Sequence, residues 1–191
     1  MAVSEPVLFE SIEGIAGTGK TTVAPLLAQA RQAVLVATVP ANFQPLRREL
    51  DNSSNADARM CLFLSALLTA TDQIVRYLEA GIPVVVESYF ARCLTTHRAY
   101  GAKLGITLPT DLPEPVTYQL TCAPHERLRR LAHRDKAVTK WDDLAEQHAE
   151  SLSAAIGEWA THRIDTTAST PAEVVQTILS LNRSGSHHAD S

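Results

Sequence analysis

Cysteine is scarce in this chain. Cys61, Cys93 and Cys122 are odd in number, far apart and form no C-x-x-C pair, which excludes a disulfide framework and a cysteine-built metal site and implies reduced, buried thiols. A secretory signal is missing too, since no basic stretch precedes an apolar run near the start and Glu5-Pro6 interrupts the segment. No segment reads as a membrane span. Basic excess is also lacking: 17 Lys and Arg against 21 Asp and Glu give a formal charge of -4. That balance argues against a polyanion-binding surface, so the expected partner is a small molecule, with no nucleic acid polymer and no membrane. There is no internal repeat. With 191 residues and 45% apolar content, the chain reads as one cytoplasmic domain over residues 1–181, able to bury a proper core. The polar tail 182–191 is expected to be disordered, and His187-His188 within it is too short to be a metal site.

What is present is concentrated near the start. Gly14-Ile15-Ala16-Gly17-Thr18-Gly19-Lys20-Thr21 is a complete G-x-x-x-x-G-K-T phosphate-binding loop. The run 7–12 before it reads as a strand and the run 22–30 after it as a helix, which is the context the motif requires. Glycines at 14, 17 and 19 allow a sharp turn and bring several N–H groups close to phosphate oxygens. Lys20 supplies a point charge and Thr21 a hydroxyl for Mg²⁺, while the following helix aims its positive dipole end at the same phosphates. Gly14, Ala16, Gly17, Thr18, Gly19, Lys20, Thr21 and Thr22 are therefore the candidate phosphate-binding residues. Pro25 in the second turn predicts a bent or shifted helix start.

Further along, extended and helical patterns alternate. Strands are expected over 33–39, 82–87, 116–122 and 163–165. Helices are expected over 56–79, 90–103, 124–132 and 141–160, with a short piece at 45–50. Thr170-Pro171-Ala172-Glu173 reads as a capping box opening a last helix to about Leu181. The alternation implies a three-layer α/β fold.

The order of these motifs resembles the thymidylate kinase branch of the P-loop kinases, with deoxynucleoside kinases as relatives. The resemblance runs from Phe9-Glu10-Ser11-Ile12-Glu13-Gly14 through the segment from Glu79 to Tyr89 and on to Ile164-Asp165-Thr166. It implies a P-loop kinase fold with a five-stranded parallel sheet, ATP with Mg²⁺ as donor, and an Arg-rich lid near 127–140. The acceptor is expected between the loop after strand two and the helices after strand three, with a homodimer left open.

Residue by residue, Glu87 matches the family's strand-three acid, and from the ligand edge of the sheet it can hold Mg²⁺ or polarise a hydroxyl. Arg130 and Arg134, four apart, match the arginine spacing of the lid, where a closing guanidinium stabilises the transferred phosphoryl group. Catalytic candidates are thus Lys20, Glu87, Arg130 and Arg134, and metal candidates Thr21 and Glu87. Three departures affect the acceptor side: Ala16 replaces a charged residue within the loop, Ser88 replaces the arginine after the acid, and Thr38-Val39-Pro40 replaces Arg-Glu-Pro. Phe43, Arg47, Tyr89, Arg92 and His97 are the acceptor-site candidates, with Tyr100 a further aromatic nearby.

The expected activity is γ-phosphoryl transfer to a nucleoside or nucleoside monophosphate. A hydroxyl on another metabolite, such as an antibiotic or sugar-like compound, is the alternative, and a nucleotide-binding regulatory protein is a third. Loss of the phosphate-gripping groups favours a neutral acceptor over its monophosphate unless Arg47 or Arg92 compensates.

Overall fold

The strand that leads into the phosphate loop, β1 (Phe9–Glu13), is buried at every position. The computed structural model, which describes residues 7–134 and 138–185, gives the cause: β1 is the middle strand of a five-stranded sheet. β2 (Val34–Val36), β3 (Val84–Glu87), β4 (Val116–Thr121) and β5 (His162–Asp165) complete it in the order β2-β3-β1-β4-β5. Every pairing is parallel. A parallel central strand is covered on both faces, and its polar residues must be satisfied inside the protein. Glu10 accordingly takes Arg31 at 2.9 Å and the Tyr118 hydroxyl at 3.1 Å.

Side chains alternate across the sheet into two cores. On one face Ile12, Val85 and Leu120 pack with Val23 and Leu27 of α1 (Lys20–Arg31) and Ile178 of α8 (Pro171–Gly185). On the other, Phe9, Val84 and Val86 meet Met60, Leu67 and Ile74 of α3 (Ala56–Glu79) and Leu94 of α4 (Phe90–Ala99). Leu27, Met60 and Ile74 are fully buried, so truncating any one to alanine costs about 2–5 kcal/mol. By length and composition alone α3 is apolar enough to cross a membrane, but here it packs against α2 (Gln44–Asn52), α4, β2 and β3.

α3 keeps the expected bounds, with the Asn55 side chain accepting from Ala58 N at 2.9 Å to cap it. The helix over 90–103 is shorter than expected: α4 stops at Ala99, just before Gly101 at φ 89°. β2 is three residues instead of seven, because the chain peels off at the sheet edge towards Pro40. A 3₁₀ turn (Ala41–Phe43) and α2 follow. α5 (Pro124–Ala132) falls where expected. The single helix expected over 141–160 is two, α6 (Lys140–Gln147) and α7 (Ala149–Gly157), broken at His148. Pro25 does not break α1, which runs unbroken from Lys20 to Arg31. The last helix passes Leu181 and ends at Gly185, so part of the expected tail is helical; residues 186–191 lie outside the described residues. Cys93 is buried, whereas Cys61 is exposed on α3, contrary to the expectation for all three thiols.

Register brings the working ends together. Ile12 pairs with Glu87 and Glu13 with Gln119, so β1, β3 and β4 finish side by side. Ligands of open parallel sheets bind in the crevice outside these carboxyl ends.

Candidate active site

Two positions of the phosphate loop are in contacts that leave no room for a side chain. Gly14 has φ 139°, and a Cβ there would stand 2.5 Å from the Leu120 carbonyl oxygen. Gly17 has φ 88°, and a Cβ there would meet Arg127 Cγ at 2.6 Å. Arg127 is only 3% exposed, donates to Glu146 at 2.7 Å and holds that carboxyl below its ordinary range. It therefore buttresses the loop from α5.

Lys20 lies beneath the loop, its Nζ donating to Ile15 O at 2.9 Å. Burial, followed by repulsion from Arg92, holds its amine well below the ordinary lysine value. Thr18 is buried and donates to the same carbonyl at 3.0 Å. Thr21 Oγ1 donates to Glu87 Oε1 at 2.8 Å, so the two expected metal ligands are adjacent. Hydroxyl and carboxylate oxygens suit a hard cation such as Mg²⁺. Among the described residues no group of three or more His, Cys, Asp or Glu is placed to hold a metal ion.

The lid arginines part company. Arg130 Nε donates to Glu126 at 2.8 Å and its Nη2 to Thr166 O at 2.7 Å, placing it in a groove with Thr18, Gly19, Thr22 and Thr167. Arg129 and Arg130 together hold the Glu126 carboxyl down to about 2. Arg134 instead lines a cleft of about 490 Å³ with Lys20, Thr21, Glu87 and Arg92. The shared helical face expected for this pair is not formed, because α5 ends at Ala132.

Next to that cleft is a cavity of about 220 Å³. Ala16, Thr38, Val39, Arg47, Ser88 and Arg92 belong to the walls of both. Ser88 stands at the junction with φ 64°, a strained conformation for a residue with a side chain. Its neighbour Tyr89 is fixed by Glu13, whose Oε1 accepts from Tyr89 N at 2.6 Å and from the Ser11 hydroxyl at 3.1 Å. Burial raises the Glu13 pKa. The Tyr89 hydroxyl bonds Thr71 at 2.8 Å and its ring packs on Phe9 and Phe90, so the side chain is largely core.

From the first turn of α4, Arg92 reaches back across the junction and donates from Nη1 to Gly14 O at 2.5 Å. A guanidinium thus stands between phosphate loop and cavity although Ser88 supplies none. Arg47 is further out, 3.7 Å from Asp51.

Deeper in the cavity, Arg59 was not foreseen. It donates from Nε to Asp51 at 3.1 Å and from Nη1 to His97 Nε2 at 2.9 Å. Its guanidinium carbon lies 4.7 Å from the Phe63 ring centre and 4.9 Å from that of Trp141. His97, 2% exposed, is held to about 4 by burial, with Arg59 and Arg92 adding to the shift. Because Arg59 is a donor, His97 Nε2 accepts and Nδ1 is the protonated nitrogen, directed to Cys93 O at 2.7 Å. Phe43 is absent from the cavity wall, and the aromatic residues there are Phe63, Tyr89, Tyr100 and Trp141. An arginine inside the apolar pattern of α3, four residues before Phe63, was the available signal.

Residues 12–178 match the model of the thymidylate kinase family. The chain belongs to the thymidylate kinase family. It is a kinase, a phosphotransferase with a P-loop nucleotide-binding fold. A probable thymidylate kinase of Pyrobaculum calidifontis is 29% identical over an alignment of 147 residues, with 72% of this chain and 75% of the relative covered. Among solved structures, thymidylate kinase from Candida albicans superposes with a TM-score of 0.74 at 16% identity, over 96% of this chain and 94% of that one. Shikimate kinase from Acinetobacter baumannii gives 0.63 at 16% identity, over 95% and 96%. At these identities the structural neighbours speak for the fold.

Proposed function

We propose that this family member transfers the γ-phosphoryl group of ATP, with Mg²⁺, to a nucleoside monophosphate. The observation that carries the choice of acceptor is Arg92, whose guanidinium spans the junction of loop cleft and cavity and touches Gly14 O at 2.5 Å. A charge-assisted contact from that position replaces the one Ser88 cannot make.

The roles follow from placement. Loop amides and Lys20 hold the donor phosphates, and Arg130, tied to Thr166 beside Gly19, borders the groove open to the rest of the donor nucleotide. Thr21 and Glu87 would hold Mg²⁺, which screens phosphate charge when bound. Arg134, exposed and facing the Lys20 cleft, is placed to answer the charge that spreads over the γ-phosphoryl oxygens during transfer. Arg92 orients the acceptor's phosphate, and the aromatic-lined cavity takes its base, so catalysis is chiefly positioning and charge stabilisation.

A second reading, a neutral hydroxyl acceptor, is favoured by the uncharged Ala16, Val39 and Ser88 in the same walls. ADP release measured with nucleosides, their monophosphates and other hydroxyl compounds separates the two. Higher kcat/KM for a monophosphate than for its nucleoside is expected; the reverse order favours the second reading, and ADP release with none of them means a nucleotide-binding protein without transfer.

A further inference from the structure

The indole N–H of Trp141 is buried and has no acceptor among the described residues, although the side chain, 4% exposed, forms part of the cavity wall. Buried indole N–H groups normally find a partner, and one left without a partner is destabilising. Elsewhere Trp141 is well occupied. Its ring carries the Arg59 guanidinium at 4.9 Å and the Lys140 ammonium at 5.0 Å, and its carbonyl accepts from the Tyr100 hydroxyl at 2.9 Å. Arg59, Lys140 and the Tyr100 ring, 5.2 Å away, surround the indole, and its N–H is the group of this side chain left without a partner among the described residues.

The other polar groups of the wall decide what that ligand offers. The Asp51 carboxylate is committed to Arg59 and that of Asp142 to Thr139, and both nitrogens of His97 are engaged. The cavity thus has a spare donor and its carboxylates are spoken for, which selects a ligand edge rich in acceptor oxygens.

We infer that Trp141 is a specificity-determining residue of the acceptor site, its Nε1–H donating to a ring carbonyl oxygen of the acceptor's base. This rests on the nucleotide-acceptor reading above. Trp141 is the second residue of α6, whose capping box is Thr139 with Asp142, so recognition of the base is built into the first turn of that helix.

The test compares thymidine monophosphate with its 2-thio and 4-thio analogues, in the wild type and in Trp141→Phe. Sulfur is a poor acceptor, and phenylalanine keeps a ring over Arg59 without the N–H. In the wild type, one of the two analogues is expected to lose roughly five- to tenfold in kcat/KM, the scale of a single hydrogen bond. In Trp141→Phe that penalty vanishes, the parent nucleotide falls by a similar factor, and KM for ATP is unchanged. Equal loss on all three nucleotides, or none on any, assigns Trp141 to packing and overturns the inference while the nucleotide reading stands. Failure of the wild type to phosphorylate any of the three overturns both. Should Trp141→Phe not fold, an absence of any thio penalty in the wild type is sufficient to overturn the assignment.

Discussion

The proposed donor and acceptor sides of the cleft are made by different means. The donor loop is one stretch of chain, shaped by backbone at Gly14 and Gly17 and braced from outside by Leu120 and Arg127. The cavity proposed for the acceptor is made of side chains brought from several elements: Arg47 from α2, Arg59 and Phe63 from α3, Arg92 and His97 from α4, Trp141 from α6. A backbone site admits little variation where its geometry excludes a Cβ, as at Gly14 and Gly17. A side-chain site can lose one group and regain the same charge from the next helical turn, which is the role proposed for Arg92 beside Ser88.

The sharpest way to break this contrast is at the donor loop. Lys20→Ala is expected to lower turnover by at least about a hundredfold, roughly 2.7 kcal/mol, and to weaken ATP binding while the fold persists. Steady-state kinetics alongside thermal melting check it, and normal turnover in a folded variant removes the loop from the mechanism. Gly17→Ala extends the point: the added carbon meets Arg127 Cγ at 2.6 Å in a left-handed backbone, so both stability and activity should fall.

The acceptor side should answer to pH through its wall. His97, about 4 in the folded protein against an ordinary 6.5, binds its proton more readily when unfolded. Its contribution is therefore fully present above pH 6.5 and is lost as pH falls towards 4, on the order of 3 kcal/mol in total. Denaturant unfolding of the wild type and His97→Gln across that window is the measurement; the variant should be flatter, and parallel curves would mean that the imidazole is not held neutral by its surroundings.

The lid arginines give the smallest expected effects and sharpen the comparison between the two grooves. Arg134→Ala should lower kcat about tenfold with little change in KM for ATP, as for a group engaged mainly in the transition state. Arg130→Ala, from its place beside Gly19 and Thr166, should instead act chiefly on KM for ATP. Equal effects of both variants on kcat would restore a shared lid role.

How far the sequence disclosed each side follows from the same contrast. The phosphate loop was legible because its chemistry is contiguous, and α3 because an uninterrupted apolar period ends at Gly81 and Pro83. The Thr170–Glu173 capping box was equally local, and the Thr170 N–H does donate to Glu173 at 2.7 Å. The break at His148 was not visible, since apolar spacing continues across it while only the backbone turns. Phe43 was a candidate and Phe63 and Trp141 were not, because the cavity is closed by residues from α3 and α6, far apart in the chain. Arg92 could be suspected from sequence as a compensating charge, but its reach to Gly14 depends on the turn at Ser88 and is a property of the fold.

The claim that Arg92 replaces the missing acceptor arginine is tested most directly by the ratio of kcat/KM for thymidine monophosphate to that for thymidine, in the wild type and in Arg92→Ala. The account predicts a wild-type ratio above one that falls by roughly ten- to a hundredfold in Arg92→Ala, with KM for ATP little changed. A ratio below one in the wild type, or one that Arg92→Ala leaves untouched, would contradict it.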